Sequence, residues 1–120
     1  MKRIFFFSLP LLAVLNLFAK EVYIDPGPNA QERLQEALIL IDEGDTLIIK
    51  SGYYKFEDGL SLDVDDVTVK GEGIDSTILD FKNQQSGAQG LLVTSDRVTL
   101  SDFSILDAKG DALKVIGAKG

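Results

Sequence analysis

One short pattern recurs along the second half of the chain, and it limits what the chain can fold into. It reads LSLDVDDVTV from Leu60, LLVTSDRVTL from Leu91 and LKVIGAKG from Leu113. Leu60, Leu91 and Leu113 hold one place in the copies, and Leu62, Val93 and Val115 hold another. A polar corner follows in each, at Asp65-Asp66, Asp96-Arg97 and Ala118-Lys119, and Val67-Thr68-Val69 matches Val98-Thr99-Leu100. The copies lie 31 and then 22 residues apart, so the first carries nine extra residues. Short alternating runs at such a period are the sequence sign of stacked coils. No Asn-Gly or Asp-Gly pair joins two long strands, so two-residue hairpins are not favoured. The pattern predicts that each run pairs its backbone with the copies above and below, and turns its apolar side into a continuous core.

The remaining composition narrows the chemistry. A chain of 120 residues fits one domain, and 45% hydrophobic residues suffice for a core. With no cysteine and no histidine, thiol nucleophiles, Cys zinc sites, histidine bases and Ser-His-Asp triads are excluded within it. Acid–base work would fall to Asp, Glu, Lys, Arg or Tyr. The formal net charge of −7 argues against a nucleic acid partner, because phosphate binding needs clustered Lys and Arg. It permits a cation, a basic partner or a neutral glycan.

Residues 1–19 have the layout of a secretory signal peptide: Lys2 and Arg3, an apolar run from Ile4 to Phe18, then Ala19 at the cleavage point. The run is short for a membrane span and holds Pro10. An uncleaved anchor is the competing reading, since Leu17 is a mediocre residue two positions before Ala19. Removing the leader leaves a chain of net charge −9, exported to a periplasmic or extracellular space with no membrane span.

Residues 20–59 read as a first strand, a capping helix and the first strands of the stack. Glu21–Asp25 alternates and should be a strand, ended by Pro26-Gly27-Pro28. Asn29 and Glu32 fit a capping box, and Leu34, Ala37, Leu38 and Ile41 form one apolar face. A helix over Ala30–Glu43, stopped by Gly44, follows. Thr46–Lys50 and Tyr53–Phe56 read as strands. Residues 60–120 are the coils, incomplete at the C-terminus, because no cap follows Gly120 and an apolar core end would be exposed. The nine extra residues fall between Gly71 and Gly90, and the polar segment Lys82–Gln89 reads as an extruded loop and the best local guess for a contact surface.

These features carry a resemblance. Gly44-Asp45-Thr46, Gly52-Tyr53-Tyr54, Gly71-Glu72-Gly73 and Thr77-Ile78-Leu79, set after a helix, resemble the opening of right-handed parallel β-helix proteins of the pectin-lyase-like superfamily. The later GLLVTSDRVTLSDFSILDAKGDALKV is similar to the coils of exported parallel β-helix repeat proteins. The resemblance covers about Glu21 to Gly120. It implies a mainly β solenoid, right-handed, with an N-terminal capping helix. It also implies that catalytic residues, where the family has them, come from middle coils, so none is assigned here.

Each candidate site has a plain structural reading beside it. Gly71-x-Gly73 lacks the third glycine of a dinucleotide loop, since Ser76 stands there, and a strand follows rather than a helix; a coil corner fits better. Asp63, Asp65 and Asp66, with Asp75, Asp80, Asp96, Asp102, Asp107 and Asp111 after them, raise the calcium that some superfamily lyases hold. Asp63 should point outward and Asp65-Asp66 sit at a turn, so they need not converge. Calcium rests on the resemblance alone. Tyr53 and Tyr54 can stack on a sugar or pack between cap and first coil. Lys109, Asp111 and Lys114 imitate a base and its partner, but match no superfamily motif.

Three functional expectations follow. The first is an exported β-helix scaffold that binds a glycan or a protein partner. The second is a polysaccharide lyase, hydrolase or epimerase whose active site lies beyond residue 120. The third is a periplasmic accessory protein for metal-enzyme maturation.

Overall fold

The computed structural model describes residues 19–117 and Lys119. The apolar run read as a leader and the corner residue Ala118 lie outside the described residues.

Among the described residues the protein is mainly β, with parallel strands and one helix. In chain order the elements are β1 (Glu21–Ile24), α1 (Ala30–Leu40), β2 (Thr46–Ile49), β3 (Gly52–Lys55), β4 (Asp58–Leu62), β5 (Thr68–Lys70), β6 (Thr77–Asp80), β7 (Ser86–Val93), β8 (Thr99–Ser101), β9 (Ser104–Leu106) and β10 (Asp111–Val115). They form three sheets, ordered β1-β2-β5-β8, β3-β6-β9 and β4-β7-β10. Every pairing is parallel. From β2 onward the chain visits the three sheets in turn, then returns to the first.

The aligned copies are spatial neighbours. Leu60 pairs with Leu91 and Leu91 with Leu113, while Leu62 pairs with Val93 and Val93 with Val115. Thr68 lies opposite Thr99 and Val69 opposite Leu100. Because side chains alternate along a strand, this register sends like residues to the same side at every level. Leu47, Ile49, Leu60, Leu62, Val67, Val69, Leu79, Leu91 and Val93 are all buried in one core cluster with Tyr54, Phe56 and Phe81. The three rings run in sequence, Tyr54 to Phe56 at 6.4 Å between centroids and Phe56 to Phe81 at 5.1 Å.

Helix α1 closes one end of this core through Ala30, Leu34 and Leu38. It is three residues shorter than its periodicity predicts. The chain leaves the helix at Ile41 (φ −61°, ψ 141°), whose N–H still reaches Ala37 O and whose side chain is still buried. The apolar spacing thus outlasts the helical backbone. Gly44 (φ 93°) serves the next turn, closed by Asp45 N–H to Asp42 O, rather than the helix end. The capping box is also absent. Asn29 stands at the N-cap in the left-handed conformation and makes no side-chain cap bond.

The second half of the segment predicted as an extruded loop, Lys82–Gln89, is strand. β7 begins at Ser86, opposite Asp58, and a bulge separates that pair from Leu60–Leu91. The polar segment is held from inside by Gln84, which is only 4% exposed. Its side-chain amide donates to Ser86 O and Gln89 O and accepts from Lys109 N–H. A buried glutamine with its polar atoms paired anchors the insertion against the coil.

Among the described residues, no helix is long and apolar enough to cross a membrane.

Candidate functional site

Strand β3 presents its alternate residues to opposite sides, and this separates the two tyrosines. Tyr54 points inward, is 1% exposed, and its hydroxyl lies within reach of Lys50 O and Ile24 O. Burial pushes its phenol up to about 12, so it is a core residue joining first strand and first coil. Tyr53 points outward and is 52% exposed. Parallel register places Tyr53 beside Ile78 and Ser104, and Lys55 beside Asp80 and Leu106. The outer face of this sheet therefore carries an aromatic ring, a cation and a carboxylate on adjacent strands.

Tyr53 and Asp80 act together. The Tyr53 hydroxyl donates to Asp80 Oδ2, and Lys82 N–H donates to Asp80 Oδ1. The phenol's hydrogen bond is the chief reason the Asp80 carboxyl lies below its ordinary range, against an opposing effect of burial. The same bond raises the Tyr53 phenol. At neutral pH the pair is a carboxylate held by a neutral phenol, which fixes the ring's tilt. Asp80 is spoken for and is not a free base.

Beside this face runs a groove of about 530 Å³, between β3 and the first turn of α1, lined in part by Asn29, Gln31, Glu32, Tyr53, Lys55 and Asp58. Its floor is not an open strand edge at β4, because Gln31 covers it. Gln31 Oε1 accepts from Glu57 and Asp58 N–H, and its amide donates to Asp58 O. The groove offers hydrogen-bonding groups and one exposed ring, the composition that suits a sugar better than an apolar ligand.

The aspartates singled out in the sequence do not converge. Asp63 accepts from Thr94 Oγ1. Asp65 accepts from Asp96 N–H, and Asp96 in turn accepts from Lys119 N–H, so the corner carboxylates tie each level to the next. Arg97 forks onto Asp66, Nε to Oδ1 at 2.6 Å and NH2 to Oδ2 at 3.0 Å, which holds the Asp66 carboxyl low. Asp66, Asp102 and Asp107 adopt positive φ at turns. Among the described residues no three acids are grouped to hold a metal ion, and these carboxylates do not fit calcium. Lys109, Asp111 and Lys114 lie exposed on or before β10, and Lys109 meets Gln84 only through its backbone.

Gly71-Glu72-Gly73 is a coil corner. A Cβ on Gly71 would lie 2.3 Å from Asp102 O, and Gly73 N–H donates to that same oxygen. Thr77 completes it from below, accepting from Glu72 N–H and donating to Ile49 O.

What the sequence reading missed is Asp45. Its side chain is fully buried and paired with Lys20. The only sequence signal is its place in Gly44-Asp45-Thr46, which marks the fold rather than a site.

No protein-family model matches the chain, and no curated protein does. Among solved structures it is similar to the PL6 family alginate lyase AlyGC, with a TM-score of 0.55 and 21% identity, covering 72% of this chain and 11% of that one. An arginine-to-alanine mutant of that lyase gives a TM-score of 0.57 and 22% identity, covering 77% of this chain and 12% of that one. At this identity the likeness is one of fold, and the chain spans about a tenth of the length of the proteins it matches.

Proposed function

We propose that these residues are the cap and first coils of an exported right-handed parallel β-helix solenoid that presents a long face to a polysaccharide. The observation that carries the reading is the in-register stacking of Leu60, Leu91 and Leu113 in an all-parallel sheet closed at one end by α1. Further coils would stack on β8, β9 and β10. Their apolar side chains Leu106, Leu113 and Val115 are exposed, and Ser95 Oγ is buried without a partner among the described residues. The Tyr53–Lys55–Asp80 face, with the groove beside it, is the local glycan surface. The acidic balance suits a neutral stretch of glycan there better than a polyuronate.

A lyase reading draws support from the fold of the alginate lyases. It places the bond-breaking groups in coils beyond residue 120, since no free acid–base pair stands on the described face. The test is the 120-residue chain with alginate, pectate and a neutral glucan. Retarded migration in a glycan-containing gel, lost in Tyr53→Ala, with no unsaturated product absorbance, is the expected result. Release of unsaturated sugar by this chain would overturn the scaffold reading. Unchanged migration in all three gels would overturn the glycan surface.

A further inference from the structure

Among the described residues, Lys20 is the first whose backbone the folded body holds. Its N–H donates to Asp45 Oδ1 at 2.9 Å, and its carbonyl accepts from Thr46 N–H at 3.0 Å. Its Nζ reaches Asp45 Oδ2 at 2.7 Å and Asp42 Oδ2 at 3.0 Å. The Asp45 side chain is fully buried, and Asp42 N–H also donates to its Oδ2. Ala19, one residue earlier, is exposed. Among the described residues, the single partner on Asp45 Oδ1 is thus the nitrogen of the peptide bond that joins Ala19 to Lys20.

We propose that Ala19–Lys20 is the bond at which the leader is removed, and that the α-ammonium freed at Lys20 docks on the buried carboxylate of Asp45, so that processing completes the cap. The inference rests on the export reading above. A processing peptidase adds water across the bond: the C–N bond breaks, Ala19 leaves as a carboxylate, and Lys20 N becomes –NH3⁺. That nitrogen is already at hydrogen-bonding distance from Asp45. Before cleavage it offers the carboxylate one neutral N–H; afterwards it offers a charged donor, which adds an ion pair to a hydrogen bond already in place. The geometry discriminates between neighbouring cuts. A cut before Ala19 leaves an acyl group on Lys20 N and the donor stays neutral. A cut after Lys20 discards both the N–H and the Nζ, stranding a buried carboxylate, which is costly.

Other charges around the site do not compete for Asp45. Asp42 shares Lys20 Nζ, Glu21 on β1 takes the Tyr23 hydroxyl, and Asp66 on the neighbouring turn is engaged by Arg97. An α-amino group ordinarily titrates near pH 8, and a carboxylate partner raises that value. Its contribution is therefore complete below about pH 8 and is lost as pH rises through the raised value. Lys20 Nζ is itself raised from 10.5 and stays charged through that window, so the two can be separated.

The experiment expresses the full chain in a bacterial host, fractionates the cells and determines the N-terminus by intact mass. An exported product beginning at Lys20 is expected. An exported product with any other N-terminus overturns this proposal and leaves the export reading standing; an uncleaved cytoplasmic product overturns both. Melting is then followed from pH 6 to 11 for the product beginning at Lys20 and for the same chain acetylated at its α-nitrogen. The free amine should melt roughly 5 °C higher at pH 6.5, with the gap closing by about pH 10. Equal melting at pH 6.5 would overturn the docked ammonium.

Discussion

Gln35 hydrogen-bonds Ser61 as a neighbouring strand would: Ser61 N–H donates to Gln35 Oε1 at 2.9 Å and Gln35 Nε2 donates to Ser61 O at 3.0 Å. Gln31 does the same one turn earlier, against Glu57 and Asp58. The first sheet has β1 to cover β2, but β4 has no preceding strand. Two glutamine side chains on one helix supply the missing edge, and so blunt a site for unwanted strand pairing. Each pair of bonds should be worth about 1 kcal/mol net. Gln31→Ala with Gln35→Ala should therefore lower urea stability by about 2 kcal/mol and speed amide exchange at Ser61. Glu36→Ala, on the exposed side of the helix, should change stability by less than about 0.5 kcal/mol.

The stacking of the coils is legible because period-2 alternation survives in the sequence and the copies align once the nine extra residues of the first are set aside. Leu60, Leu91 and Leu113 could be aligned by eye, and they pair. What the sequence hides is any role played by side-chain hydrogen bonds at a distance. Gln84 looks like part of a polar loop, yet 25 residues separate it from the Lys109 N–H it accepts. Gln31 and Gln35 look like the solvent face of an amphipathic helix. The outward row of Tyr53, Lys55 and Asp80 needs the register between β3 and β6, which composition does not encode. Asp45 was hidden because its partner, Lys20, reads as the first residue after a leader.

The corner at Gly71 should tolerate no side chain. Its φ is not positive, so the restriction comes from packing alone. A Cβ would lie 2.3 Å from Asp102 O, 2.8 Å from Thr77 Cβ and 2.9 Å from Phe103 Cβ. The obstacle includes backbone from the next level, so the strain cannot be relieved by a rotamer change. Gly71→Ala should cost about 1–3 kcal/mol, the range for overpacking a well-filled site. Thermal melting checks it, and an unchanged midpoint would mean that the levels can slide apart at this corner.

The ring stack should be a single energetic unit. Phe56 and Phe81 are both fully buried, with centroids 5.1 Å apart and planes tilted by 39°. Phe81→Ala should cost about 3–5 kcal/mol through lost burial and the cavity left behind. The double variant with Phe56→Ala should fall short of the sum of the singles by about 0.5–1.5 kcal/mol, the worth of a tilted aromatic pair. Urea midpoints at constant slope provide the measurement.

Acid should expose the two buried carboxylates that the fold holds low, Asp45 and Asp80. Burial by itself would raise Asp45, but the hydrogen bonds from Lys20 Nζ, Lys20 N–H and Asp42 N–H outweigh it and keep the carboxyl below its ordinary value of 3.8. Asp80 is lowered first by the Tyr53 hydroxyl, against burial, with help from Lys82 N–H. A depressed folded value means that the unfolded chain binds the proton first as pH falls. The stabilisation is complete above about pH 4 and is lost as pH drops through the folded value. Melting temperature measured from pH 7 to pH 2 should hold to about pH 4.5 and then fall. Asp45→Asn should melt lower than the parent near neutrality, with the difference shrinking below pH 4, because by then the parent's carboxyl is also neutral. Tyr53→Phe should act the same way but more weakly, since Tyr53 is half exposed. A gap between parent and Asp45→Asn that stays constant down to pH 2 would show that the carboxylate's charge contributes nothing to the cap.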